Sequence, residues 1–133
     1  MLPRLLVDTH TLVRWFFEGR KLSRNQVRLL KSAVQHGEPL AFSAISLMEI
    51  AALTKAGKLN LKKSLHEFFD DLESNPEFTL LPLSYEVAEE AGCLLRLHDP
   101  ADCIIVATAR VHGLRLVTSD QRIIDSKLVT TIE

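Results

Sequence analysis

Apolar positions along this chain follow two periods in turn. Runs of strand length come first in most units, and stretches with an apolar residue every three or four positions follow them. Leu5-Leu6-Val7 reads as a buried strand that stops at Asp8-Thr9, a helix-capping pair, with Leu12, Val13 and Phe16 at helical spacing beyond. Ser23-Arg24-Asn25-Gln26 has the form of a capping box, in which a hydroxyl and an amide each satisfy the other's backbone N–H. Val27, Leu30, Ala33 and Val34 then mark one face of a helix ending near His36-Gly37. Leu40-Ala41-Phe42 is a second strand; Ser43 caps a helix through about Ala56, and Gly57 suits its left-handed C-terminal position. Leu65, Phe68, Phe69 and Leu72 give a further helix, broken by Asn75-Pro76.

Phe78 to Leu83 reads as a third strand, and Ser84 caps a helix whose face is Val87, Ala88, Ala91, Leu94 and Leu95. Asp99-Pro100 joins a capping carboxylate to a proline at the first helical position, and Ile104, Ile105, Thr108 and Val111 follow up to Gly113. Leu114 to Thr118 is a fourth strand, Asp120 caps a short helical turn, and Leu128 to Ile132 is an edge-strand candidate. Strands separated by helices argue for a parallel sheet covered on both faces. Right-handed crossovers then gather the strand C-termini on one rim, the side on which open α/β sheets bind ligands.

Composition narrows the class. The length of 133 residues predicts a single domain over 1–133. A hydrophobic content of 47% with a net charge of -1 excludes disorder as the main state. No stretch approaches the ~18 apolar residues of a membrane span. The apolar run near Met1 is too short for a signal peptide and ends in Asp8. Two cysteines, Cys93 and Cys103, are too few for a disulfide framework or a four-cysteine zinc site, and both are expected as reduced core thiols of a cytoplasmic protein. The near-neutral balance gives no basic footprint for nucleic acid, and it is what an acidic site on a weakly basic face averages to.

Five carboxylates fall near the expected rim. Asp8 and Asp120 follow strands directly; Asp99 and Asp102 sit three apart at a helix start and share a face. Glu49 stands in the apolar run Ile45-Ser46-Leu47-Met48-Glu49-Ile50-Ala51-Ala52-Leu53, with no Lys or Arg at three or four positions either way. A carboxylate in such a helix needs a distant base or a metal ion. Asp8, Asp99 and Asp120 are also good N-caps, and Asp102 suits a helix dipole, so each has a structural reading of its own. Together they suit Mg²⁺ or Mn²⁺, which prefer oxygen ligands, neutralise phosphate and acidify a bound water. Without a cation such a cluster repels itself.

On these residues the chain resembles a PIN domain, in particular the VapC-like ribonuclease toxins of prokaryotic toxin–antitoxin pairs. The resemblance runs through Leu6-Val7-Asp8-Thr9-His10, Ser43-Ala44-Ile45-Ser46-Leu47-Met48-Glu49-Ile50-Ala51, His98-Asp99-Pro100-Ala101-Asp102 with Ile104-Ile105-Val106-Ala107-Thr108-Ala109, and Leu116-Val117-Thr118-Ser119-Asp120. It implies a three-layer α/β/α sandwich with a central parallel sheet of four to five strands. It also implies an RNA phosphodiesterase using Mg²⁺ or Mn²⁺, with Asp8, Glu49, Asp99 and Asp120 as the acidic site and Asp102 as a further metal ligand. Thr118 is implied to hold its loop by hydrogen bonding. A cognate antitoxin and a homodimer are the implied partners, with no membrane. Two positions depart from the family's pattern: Cys103 stands where relatives often carry Arg, and Met48 replaces a frequent Trp.

Other features have plainer readings. Lys21, Arg24, Arg28 and Lys31 form a basic stripe expected to be solvated, whereas Lys55, Lys58, Lys62 and Lys63 suit solvent or RNA equally. Arg110, Arg115 and Arg122 are expected near the acidic rim. Trp15-Phe16-Phe17 is expected in the core. The five histidines show no zinc spacing, and His98, beside Asp99, is the one placed to touch a substrate. Two other functions fit parts of the pattern. One is a PIN-like RNA- or protein-binding module without activity. The other is a receiver-type phosphoacceptor domain, which lacks here the aspartate after a central strand and the lysine after a late one.

Overall fold

A computed structural model describes residues 1–133. The chain runs β1 (Leu5–Val7), α1 (Thr9–Phe17), α2 (Arg24–Gln35), β2 (Leu40–Ser43), α3 (Ala44–Lys55), α4 (Leu65–Ser74), β3 (Phe78–Leu81), α5 (Tyr85–Gly92), α6 (Pro100–His112), β4 (Arg115–Val117), α7 (Gln121–Ser126) and β5 (Thr131–Ile132), with 3-10 turns at Gly19–Lys21 and Leu95–Leu97. The strands form one sheet in the order β3-β2-β1-β4-β5, and every pair is parallel. The predicted α/β architecture with a five-stranded parallel sheet is what the chain adopts. No helix is long and apolar enough to cross a membrane.

The alternation of side chains along each strand sorts the helices into two layers. Leu5 and Val7 of β1, with Leu40 and Phe42 of β2, point into a core shared with α1, α2, α3 and α4. The intervening Leu6 and Ala41 point the other way, into a second core shared with α5, α6 and α7. Because both faces are covered, all three residues of β1 are buried and none is polar. The aromatic triplet belongs to the first core: Trp15, Phe16 and Phe17 pack against it, and the Phe16 ring lies 5.6 Å from Phe68, edge to face, and 5.1 Å from Phe78.

The capping signals act as read. Ser23 accepts from Gln26 N at 3.0 Å while Gln26 Oε1 accepts from Ser23 N at 3.1 Å. Gly57 and Gly113 close helices at φ +72 and +66, backbone that a β-carbon disfavours. Asp99 caps α6 by accepting from Ala101 N at 2.9 Å and Asp102 N at 3.2 Å.

Several expectations need correction. β3 ends at Leu81 rather than Leu83, because the neighbouring β2 ends at Ser43, opposite Leu81, and Pro82 has no N–H for a ladder. The helix after Ser84 ends at Gly92 rather than reaching Leu95. Ala88 and Leu95, assigned to its core face, are exposed, and Leu95 lies in a separate 3-10 turn. Cys93 is exposed and only Cys103 is buried; both are free thiols. Arg115 begins β4 opposite Leu5, at the strand end away from the rim, and Arg110 pairs with Glu90.

The strand order places a topological switch beside β1. The chain moves outward from β1 to β2 and β3, then crosses to β4 and β5 on the other flank. Crevices at such points, outside the strand C-termini, are where α/β sheets receive ligands.

Candidate functional site

The five carboxylates meet at this switch. Asp8, Glu49, Asp99, Asp102 and Asp120 line one groove of about 270 Å³, together with Thr9, His10, Arg14, Ser119 and Arg122; Ile105 is its only apolar wall. They arrive from four separate parts of the chain: the end of β1, the middle of α3, the start of α6 and the cap of α7.

Asp8 is the most constrained. It is buried at the end of the central strand, and its Oδ1 caps α1 by accepting from Thr11 N at 2.9 Å. Its Oδ2 accepts a short hydrogen bond from the fully buried Thr118 hydroxyl, whose oxygen in turn accepts from Asp120 N at 3.1 Å. One threonine therefore joins two of the acids. Below it, the buried Gln26 amide donates to Thr118 O at 3.3 Å, Ser119 Oγ at 3.2 Å and Ile132 O at 3.2 Å, tying the rim of β4 and β5 to α2.

Glu49 is held differently. Its Oε1 accepts from the Thr9 hydroxyl at 2.5 Å, and the same Thr9 oxygen lies 2.9 Å from Ser46 Oγ. No basic residue pairs with it, so the partner demanded by its apolar run is a hydroxyl relay between α1 and α3.

Arg122 is the cation that meets the acids. Its Nη2 lies 3.3 Å from Asp102 Oδ2 and 3.2 Å from Asp120 Oδ2. The charges are uneven in consequence. Burial, the neighbouring Asp99, Asp120 and Glu49, and only partial relief from Arg122 push the Asp102 carboxyl from the usual 3.8 up to about 6. Burial would raise Asp120 as well, but the Arg122 side chain and backbone N–H groups outweigh it and hold that carboxyl below the usual range. The Cys103 thiol is pushed up by burial, then by Asp102 and Asp99.

The donors left over suit a hard cation. Glu49 Oε2, Asp99 Oδ2 and Asp102 Oδ1 take no hydrogen bond from the protein, while their sister oxygens are anchored. No group of three or more His, Cys, Asp or Glu side chains stands close enough to hold a metal ion by itself. Mg²⁺ and Mn²⁺ do not require one, since Mg²⁺ keeps several waters and takes one or two carboxylates. An open groove with free carboxylate oxygens whose sister oxygens are anchored fits such an ion.

Sequence reasoning missed Thr9, Ser46, Gln26 and Arg14 as site builders. Thr9 and Ser46 are small hydroxyls beside recognised acids, which is the signal they carried. Arg14, one helical turn beyond His10, lines the groove without an ion pair. Conversely, His98 lies outside the groove, in an apolar hollow with Leu83, Leu95 and Ile104, at φ +65. The two lysine-rich clusters are exposed and do not line the groove.

The chain is similar to known proteins over nearly its full length. The PIN domain model matches residues 5–127. Ribonuclease VapC22 of Mycobacterium tuberculosis is 32% identical over 121 residues, covering 90% of this chain and 88% of the relative. Among solved structures, FitAcB from Neisseria gonorrhoeae superposes with a TM-score of 0.67 at 27% identity, covering 97% of this chain and 96% of that one. A toxin–antitoxin complex from Klebsiella pneumoniae superposes with a TM-score of 0.62 at 25% identity, covering 96% of each chain.

Proposed function

The chain belongs to the PIN-domain family, and on that premise we propose that it is the ribonuclease toxin of a toxin–antitoxin pair: a single PIN domain over residues 1–133 that hydrolyses RNA phosphodiester bonds with Mg²⁺ or Mn²⁺. The observation that carries this reading is the groove itself, in which five fixed carboxylates converge and three keep an oxygen free of protein partners. The similarity to a named ribonuclease and to a toxin–antitoxin complex supports the substrate and the partner.

Asp8, Glu49, Asp99, Asp102 and Asp120 are the residues that would hold the metal in this reading, directly or through its bound waters. A divalent ion held there would supply charge neutralisation for a phosphate and a more acidic water, the chemistry of in-line hydrolysis to a 5′-phosphate and a 3′-hydroxyl. The chain's own residues do the positioning. Thr118 fixes Asp8 and the Asp120 loop, Thr9 fixes Glu49, and the α6 cap fixes Asp99. Arg14 and Arg122 flank the acids and offer N–H donors to the phosphate backbone. The fixed acid geometry is held before any ligand arrives, so the groove needs little reorganisation.

Apolar surface for partners also lies outside the groove. Leu80 and the apolar hollow of Phe42, Leu47, Phe69 and Phe78, with Leu83 and Leu95 around a second hollow, leave large apolar side chains exposed beside the edge strand β3. These surfaces serve the homodimer and the antitoxin, and the protein works in the cytoplasm.

The test is RNA cleavage by antitoxin-free protein in Mn²⁺, in Mg²⁺ and in EDTA, each beside Asp99→Asn. Cleavage that needs metal and is lost in the variant supports the reading. Failure to cleave RNA together with failure to bind Mn²⁺ leaves an inactive binding module.

A further inference from the structure

Arg122 divides the acidic groove into unequal halves. From one side chain it reaches Asp102 Oδ2 at 3.3 Å, Asp120 Oδ2 at 3.2 Å and, through Nε, Asp120 Oδ1 at 3.5 Å. Asp8, Glu49 and Asp99 have no such cation: their partners are the Thr118 and Thr9 hydroxyls and backbone N–H groups. The protein thus supplies one positive charge to one pair of acids and leaves the other three without a counter-charge.

Resting on the nuclease reading above, we propose that Arg122 stands in for a second metal ion, so that the groove takes a single divalent cation on the side of Asp8, Glu49 and Asp99. In two-metal sites the ions lie ~4 Å apart and share a row of carboxylates. Here the carboxylates that would hold the second ion already hold a guanidinium, and two cations do not share one such pair without strong repulsion. Arginine suits the place chemically. Its planar fork has five N–H donors, enough to bridge two carboxylates and still present a donor to a phosphate oxygen. Its starting point is also fixed, because Arg122 N donates to Asp120 Oδ1 at 2.9 Å in the first turn of α7. The guanidinium is two-thirds exposed, so replacing it opens no hole in the core.

An ordinary surface ion pair makes no statement about how many metal ions bind. The test is therefore metal stoichiometry, read by calorimetry and by the signal of free Mn²⁺ in electron paramagnetic resonance, on wild type, Arg122→Gln and Arg122→Lys. Cleavage is followed over the same Mn²⁺ range. Wild type is expected to bind about one ion and Arg122→Gln about two. Arg122→Lys, which keeps the charge, is expected to stay near one. Arg122→Gln should cleave poorly at low Mn²⁺ and recover in part at high Mn²⁺, when the second ion fills the vacated pair. A wild type that binds two ions, or a Gln variant that stays at one with unchanged affinity, overturns the inference while the nuclease reading stands. A wild type that binds no Mn²⁺ and cleaves no RNA removes both.

Discussion

Asp8 has a structural task and, in the proposed function, a chemical one, and two substitutions separate them. Asp8→Asn keeps an oxygen at the Oδ1 position for the Thr11 N–H, and its amide faces Thr118, whose oxygen gains a donor in exchange for the acceptor its hydroxyl loses. It also removes one negative charge from a self-repelling groove, so its stability should lie within about 1 kcal/mol of wild type. Asp8→Ala removes both acceptors. Loss of the cap costs about 1 kcal/mol. Leaving the fully buried Thr118 hydroxyl without its acceptor adds about 1–3 kcal/mol. The Ala variant should therefore lose roughly 2–4 kcal/mol, a fall in Tm on the order of 10 °C. Urea unfolding in EDTA measures the first effect and RNA cleavage in Mn²⁺ the second. The expected pattern is a stable but inactive Asn variant beside an unstable, inactive Ala variant. Equal destabilisation of the two would refute the hydrogen-bond account of Asp8. Wild-type cleavage by the Asn variant would refute its assignment as a ligand.

Thr118→Val keeps the volume but removes the hydroxyl that orients Asp8 and the Asp120 N–H; Mn²⁺ affinity should fall about 10–100-fold, and a Kd within twofold of wild type by calorimetry would exclude the orienting role. Gln26→Leu deprives the Thr118 carbonyl of its buried donor, leaves the Ile132 carbonyl only its bond from Thr118 N, and breaks the capping box at Ser23; it should cost about 2–3 kcal/mol in urea unfolding, and an unchanged midpoint would show that the Thr118 carbonyl is satisfied some other way. The folded Asp102 carboxyl sits at about 6 against 3.8 unfolded, so between those values the metal-free folded state binds the extra proton. The Asp102 contribution to stability is thus absent below about pH 4, turns unfavourable as pH rises through 6, and then levels off. The difference in stability between wild type and Asp102→Asn in EDTA should follow that course, and a difference independent of pH would contradict the burial and repulsion described.

Most of the fold was legible because its signals are local. The capping box at Ser23–Gln26, the Asp99-Pro100 start and the left-handed Gly57 and Gly113 each act within one turn of their own residue. The errors came where a distant neighbour decides. β3 stops where β2 stops, and within Phe78–Leu83 only Pro82 records that. Leu95 reads as apolar helix face, yet the chain leaves the helix at Gly92 and turns that side chain to solvent. At the site, the acids were visible one by one as caps and oddly placed charges. Their meeting in a single groove depends on the order β2-β1-β4, a property of the whole chain. The partner of Glu49 was hidden for the same reason: Thr9 lies forty positions away and resembles any other capping residue.

The pairing of β1 with β4 has a consequence for how the protein comes into being. Leu6 faces Leu116, and the hydroxyl that secures Asp8 belongs to a residue 110 positions further on. A chain emerging from the ribosome makes its first strand early and the strand beside it nearly last. Until then the Asp8 carboxylate has no Thr118 to hold it and no Asp120 for company. A half-synthesised chain therefore has no assembled groove, and the same holds for a product clipped in any loop between α3 and β4 whose pieces separate. The groove is thus a property of the whole chain, and any cleavage that parts β1 from β4 takes it apart.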